Sequence, residues 1–366
     1  LAGLAITIGA SNTAIGKDSL RTDDVGSHST AIGHASLYSQ NTAGASTVIT
    51  GNTGVGSYSG YYNVTGKQNT YLGFEAGFGA SGQSNSNNTG IGHKAMNLIS
   101  TGGDNVVIGF NAGAAMTLAG QNVYIGKDCA EASNEGDYNT VVGHGSYKSA
   151  SGNNANFNTV FGWETGKLQT TGANNTLIGA KAGDTLEEAS GNTAVGYDVD
   201  FNSTNADGRI AIGQSFTATD DNSVHLGNDH GFVKNSFSSN NTWTQVSDIR
   251  LKKNINNDSL GLEFINELRP VTFNWKPLNE VDTEFIDGCP NHKGEKDTET
   301  LIHGLIAQEV KSAMDKVSNT TFNGWEEGID GQSVSREMFI TPLIKAVQEL
   351  SSQVTELKKE IEELKN

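Results

Sequence analysis

A five-residue unit, Asn-Thr-x-apolar-Gly, recurs through the first two thirds of this chain, and a tandem repeat of that kind leaves few folds open. Good copies occupy residues 12–16, 52–56, 69–73, 88–92, 139–143, 158–162, 175–179 and 192–196. Looser copies end at Gly33, Gly109, Gly126, Gly213 and Gly227. Most successive terminal glycines stand 17 residues apart, with spacings of 19 and 23 where a unit is lengthened and 14 at the end. A variable residue followed by Ile, Leu, Val or Phe gives the period-2 alternation of a short strand. Asparagine is suited to close a turn on its own backbone, and the glycine permits backbone angles closed to other residues. Many units continue into a second small-residue segment, such as Ala76-Gly77, Ala112-Gly113 and Ala182-Gly183, which implies close packing of neighbouring coils or chains. One coil buries too little apolar surface to stand alone, so coils must stack.

Composition divides the 366 residues in two. Residues 1–246 hold 38 of the 45 glycines and none of the four prolines, whereas residues 247–366 hold all four prolines and 14 of the 24 Lys and Arg. Proline cannot donate to a strand ladder and glycine tolerates corners, so the first part suits continuous β structure and the second reads as mixed globular sequence. At 35% hydrophobic residues over the whole chain, the sequence is lean for an isolated array core, and association into a homotrimer is the expected remedy. A net charge of −17 argues against nucleic acid or an anionic membrane as the main partner. No apolar run approaches a membrane span, so no membrane insertion is expected. The chain starts at Leu1, without an initiator methionine or a signal peptide, which points to a piece of something longer. Two cysteines, Cys129 and Cys289, make no disulfide framework.

The Asn-Thr-x-Ile-Gly units resemble the head repeats of trimeric bacterial adhesins, a left-handed parallel β-roll, and repeats in phage and algal-virus fibres. The unit here is usually longer than the adhesin unit. The resemblance covers most of residues 1–230 and implies a mainly β solenoid, trimeric and β-roll or β-helix-like, as shaft or head over residues 1–227. Residues 228–246 carry no clear repeat but contain Phe232, Phe237 and Trp243; they read either as a neck that seals the solenoid or as a linker with incidental aromatics.

After residue 246 the pattern changes. Residues 260–268 suit a short helix stopped by Pro270, residues 271–275 a strand, residues 287–300 a polar loop, and residues 305–314 a second helix. From Ile340 the apolar positions Leu343, Val347, Leu350, Val354, Leu357, Ile361 and Leu364 alternate spacings of three and four, a heptad seam over residues 340–366. A coiled coil is favoured over a helix folded onto its own domain, because charges flank a narrow apolar stripe. β-Branched residues at one seam position and Leu at the other lean towards parallel dimers. The repeats argue for a trimer, and a short coil usually follows the symmetry of what it is fused to.

The run Ser247-Asp248-Ile249-Arg250-Leu251-Lys252-Lys253-Asn254-Ile255 stands where the array stops. Leu268-Arg269-Pro270-Val271 with Phe273 and Trp275, then His303-Gly304-Leu305-Ile306-Ala307-Gln308-Glu309-Val310, then the heptads, follow in that order. Together they resemble the C-terminal intramolecular chaperone of endosialidase-type phage tailspikes, a module also found in other viral fibres and a membrane-bound eukaryotic transcription factor. The resemblance implies an α+β chaperone domain over residues 247–339 that trimerises, guides the upstream β structure and then cuts itself off. The scissile bond it implies joins Val246 to Ser247, with Ser247 as nucleophile and Lys252 as its base. A serine hydroxyl needs a base near neutral pH, and a lysine must be desolvated or placed among cations to serve as one. Arg250 and Lys253 are candidates for that support, or solvated charges. His303, with Gln308 and Glu309 in the second signature block, either contacts the cleavage site or makes a structural hydrogen bond. Asp248 is assigned only a helix-capping role.

Other signals are weaker. His34, His93 and His144 occupy equivalent corners, but Lys17, Phe74 and Trp163 occupy the same corner elsewhere, so a variable solvent-facing corner is preferred to a threefold metal site. Cys289 and His292 make half a metal site. No metal, cofactor or paired carboxylates for glycosidase work stand out. Tyr58, Tyr61, Tyr62, Phe74, Phe78 and Trp163 suit stacking on sugars or packing between chains equally. The reading is a distal viral tail or capsid fibre, located on the virion, whose partner is a host cell-surface glycan or protein receptor. The alternatives are a tailspike enzyme that degrades host glycan and a bacterial trimeric surface adhesin. Self-cleavage would be single-turnover serine autoproteolysis, with no turnover enzyme indicated.

Overall fold

The computed structural model describes residues 1–42, 44–148, 155–237, 244–245, 247–281, 298–328 and 331–365. It divides into two compact units, Leu1–Ser247 and Asp248–Asn366.

The first unit is a β-solenoid. Thirteen short strands, one from each coil, pair in parallel from Thr13–Ile15 to Ser223–Asn228. Equivalent repeat positions sit side by side, Thr13 with Thr30, Thr53 with Thr70 and Ile210 with Val224. The anticipated alternation is present, and the variable residue is the inward one. Ala31, Tyr71, Val107, Tyr124, Val160, Leu177 and Ala211 are fully buried, whereas Ile15, Leu72, Phe161 and Ile212 are 57, 48, 56 and 42% exposed. Buried tyrosines keep their hydroxyls paired: Tyr71 donates to Asn85 Oδ1, Tyr124 meets Ser133 Oγ at 3.1 Å, and Asn158 donates to the Tyr147 hydroxyl at 2.7 Å.

Asparagine plays a different part from the one expected. Its chief bonds run between coils, so that the nine asparagines from Asn52 to Asn192 form a continuous buried ladder. At Asn122 the backbone N–H donates to Asn105 Oδ1 at 3.0 Å, and Nδ2 donates to the same oxygen at 3.2 Å and to the Gly136 carbonyl at 2.8 Å. Bonds to its own backbone two residues back persist at Asn122, Asn158 and Asn192 as a minor addition. Arg209 takes the asparagine position below Asn192: its N–H meets Asn192 Oδ1 at 3.0 Å, and its guanidinium engages Asp221, Asn202 and the Ala218 carbonyl. That buried cation, satisfied on every side, closes the ladder.

The repeat glycine is required by contact as well as by angle. Gly126 has φ of 141°, and a Cβ there would lie 2.4 Å from the Gly143 carbonyl oxygen of the next coil. The second small-residue segment forms turns. Ala76, Ala112 and Ala182 are fully buried, and a Cβ on Gly77 would strike the Tyr71 ring at 2.2 Å, so the close packing lies within one chain. Residues in the expected neck extend the same sheet: Gly231–Ser236 pairs antiparallel with Ser223–Asn228, and Thr244–Gln245 follows. Phe232 packs against the solenoid core, Phe237 is exposed, and Trp243 lies outside the described residues.

The second unit is small and mixed. Helix α1 (Leu262–Glu267), helix α2 (Ala307–Lys316) and helix α3 (Ile340–Lys365) accompany two antiparallel pairs, Val271–Phe273 with Ile302–Gly304 and Trp325–Gly328 with Gly331–Val334. Phe264, Phe322 and Phe339 pack ring against ring, Phe322 and Phe339 at 4.9 Å edge-on, beside Leu260, Val310 and Met314. Glu349 of α3 accepts the Leu262 N–H at 2.7 Å and so satisfies one open donor at the start of α1. A Cβ on Gly261 would collide with that carboxylate at 2.3 Å. Beyond Leu350 every described α3 residue is exposed, over about four turns of helix. The expected polar loop lies largely outside the described residues, with Cys289 and His292 in that part.

Candidate functional site

The boundary nonapeptide begins at Ser247, the last residue of the solenoid unit, and Ser247 is exposed. Val246 lies outside the described residues. Asp248 caps a single 3-10 turn, Ile249–Leu251, its carboxylate accepting the Arg250 N–H at 2.8 Å. The same carboxylate grips the Arg250 guanidinium at 3.0 and 2.7 Å, and these bonds hold Asp248 below the usual carboxylate range. Arg250 thus spends its charge on its neighbour. Lys252 terminates the turn in an extended conformation, its N–H bonded to the Ile249 carbonyl at 3.1 Å. The Lys252 side chain is exposed, as is Lys253, and so are the apolar Ile249, Leu251 and Ile255 at 72, 75 and 61%.

The two downstream signature blocks meet in space. His303 sits on the strand Ile302–Gly304, opposite Thr272, and is exposed. Gln308 and Glu309 open α2; Gln308 is exposed, and Glu309 forms a forked ion pair with Arg269, Nε to Oε2 at 3.0 Å and Nη2 to Oε1. Arg269 holds the Glu309 carboxyl below the ordinary range. Glu309 therefore ties the Arg269-Pro270 corner to the start of α2, while Val310 and Met314 on the same helix enter the core. Arg269 was missed as a partner because 40 residues separate the pair, although both belong to the blocks the sequence singled out.

The solenoid corners show what the histidines and aromatics do there. Phe74, His93 and Phe110 stack nearly parallel with centroids 5.4 and 5.1 Å apart, and Lys127 covers Phe110. Tyr38, Tyr61 and Phe78 form a second stack, with Arg21 over Tyr38. In each stack the faces between neighbouring rings cover one another. Among the described residues no three His, Cys, Asp or Glu side chains gather as metal ligands. Asp184 and Asp200 do come together, sharing a hydrogen bond; burial first, then the Asp200 charge, pushes the Asp184 carboxyl up to about 6. Two carboxyls in direct contact are too close to flank a glycosidic bond, which needs a separation of about 5 Å or more. Cys129 is buried in the core, and that burial pushes its thiol up to about 12. No helix among the described residues is long and apolar enough to cross a membrane.

Residues 247–318 match the family model described as chaperone of endosialidase. No curated protein and no solved structure matches the chain. The matched segment is a chaperone-of-endosialidase domain, and a β-solenoid ahead of it fits a fibre carrying an endosialidase-type chaperone. That family belongs to phage tail fibres and implies homotrimeric assembly.

Proposed function

We propose that the chain is the distal part of a homotrimeric viral tail fibre that attaches to a host cell-surface glycan or protein, and that its C-terminal chaperone releases itself after assembly. The observation that carries this reading is that the family match starts at Ser247, the residue at which the solenoid unit ends. The domains follow as shaft or head over residues 1–227, neck over 228–246, chaperone over 247–339 and coiled coil over 340–366.

In the proposed cut, Lys252 takes the Ser247 hydroxyl proton as Oγ attacks the Val246 carbonyl. The peptide C–N bond breaks, the proton passes to the departing Ser247 nitrogen, and Val246 is left as an ester on Oγ. Water then hydrolyses the ester, giving a new carboxylate at Val246 and a new amino terminus at Ser247. The event occurs once per chain. Exposure of Lys252 and of the apolar Ile249, Leu251 and Ile255 in one chain favours gating by assembly: subunits that cover these residues would strip water from the lysine and lower its affinity for a proton. His303, Gln308, Arg250 and Glu309 are assigned no proton transfer, since Arg250 and Glu309 are held in ion pairs. Ser247→Ala in the full chain is expected to leave one full-length band on a denaturing gel where the parent gives two. Equal patterns for both proteins overturn the autocleavage.

A further inference from the structure

The thirteen parallel strands carry twenty-six outward side chains at their first and third ladder positions, and none is charged. One row is Thr, with Val or Ile in four rungs; the other is Ile, Val, Leu or Phe throughout. The chain as a whole has a net charge of −17, and the same coils place Glu75, Lys94, Asp128, Glu131 and Lys181 on their corners and turns. A sheet face that stays in water normally mixes polar and charged residues into its outer positions. Here apolar side chains up to 57% exposed run the length of the ladder instead. At about 4.8 Å per strand the face is about 60 Å long, and at about 10 Å wide it offers about 600 Å², near the 800 Å² that one partner gives to a standard interface.

We propose that this charge-free face is the seam along which three copies of the chain pack, equal rungs facing one another. The inference rests on the homotrimer reading above and names the surface that reading leaves open. A face repeating every strand spacing is matched along its whole length only by a surface of the same period, which another copy supplies. A second, independent apolar row points to the same partner: the α3 positions Leu350, Val354, Leu357, Ile361 and Leu364 are all exposed in the single chain, at coiled-coil spacing.

Phe161 lies in the third-position row and Leu118 on a connecting loop, both exposed. Each is replaced in turn, in the full-length chain, by the photoreactive p-benzoylphenylalanine, and assembly mass is read by light scattering before irradiation. The expected result is a trimer whose Phe161 probe yields bands at two and three times the chain mass, with none from the Leu118 probe. A trimer with no Phe161 product, or with products from Leu118 alone, overturns the seam and leaves the trimer standing. A monomeric mass overturns the trimer reading and the seam together.

Discussion

The two units solve the same problem, a chain that buries little apolar surface, in opposite ways. The solenoid relies on exact repetition of backbone: glycine against glycine carbonyl, asparagine amide against asparagine amide, with each coil bonded to the next. The second unit relies on a few large side chains around Phe264 and Phe339 and leaves most of its longest helix exposed. Sensitivity should follow that difference. In the solenoid the smallest residues are the least replaceable, and in the second unit the exposed apolar row matters only once other chains are present.

The largest effect on the fold of a single chain is expected from Gly126→Ala. The added methyl meets a neighbouring carbonyl at 2.4 Å in a backbone region that favours glycine, so about 3–5 kcal/mol of local stability should be lost. Gly44→Ala, where the nearest atom would be 3.7 Å away, should stay within about 0.5 kcal/mol. Chemical unfolding followed by far-ultraviolet circular dichroism compares them. Equal midpoints would mean that backbone fit does not govern the stack. Asn122→Asp tests the polar half of the argument: it removes two buried donors, to Asn105 Oδ1 and the Gly136 carbonyl, and faces both oxygens with another acceptor.

Much of this architecture was legible in the residues. The recurrent glycine gave the coil length, and the heptads gave helix α3, because both depend on contacts that repeat along the chain. The sense of the strand alternation was not legible: a period of two defines two faces without saying which is inward, and the row richer in Ile turned out to face away from the core. Nor was the asparagine ladder, since local chemistry suggests a turn while the real partner stands 17 or 19 residues away. At the candidate site, Ser247 and Lys252 were found by motif order, and both are exposed in the single chain.

Leu357→Glu sharpens the other side of the comparison. Leu357 is 56% exposed in the single chain, so the substitution should leave the fold of one chain unchanged. In a trimer each buried leucine is worth about 2 kcal/mol, and three copies make about 6 kcal/mol, roughly a 10⁴-fold loss in association constant. Light scattering at low micromolar concentration should find monomer in place of trimer. An unchanged mass would show that α3 is not part of the assembly, and would move the whole burden of association to the solenoid.

The smallest effect concerns pH and an acidic contact on one coil. Asp184 is raised to about 6, by burial first and then by the charges of Asp200 and Asp198, with Lys181 opposing. A carboxyl with a folded pKa above its unfolded value holds more protons when folded, so stability falls as pH rises between about 4 and 6. The strain then persists at neutral pH. Asp184→Asn removes it, and should raise stability at pH 7.5 by about 1 kcal/mol once solvent screening is discounted, with little gain at pH 4. His225 works in the opposite sense, because burial lowers its pKa and its contribution is lost as pH falls. Comparing variant with parent at each pH cancels that term and isolates Asp184. A melting-temperature gain of the same size at both pH values would mean that the substitution acts through packing, and that the acidic contact is neutral to the coil.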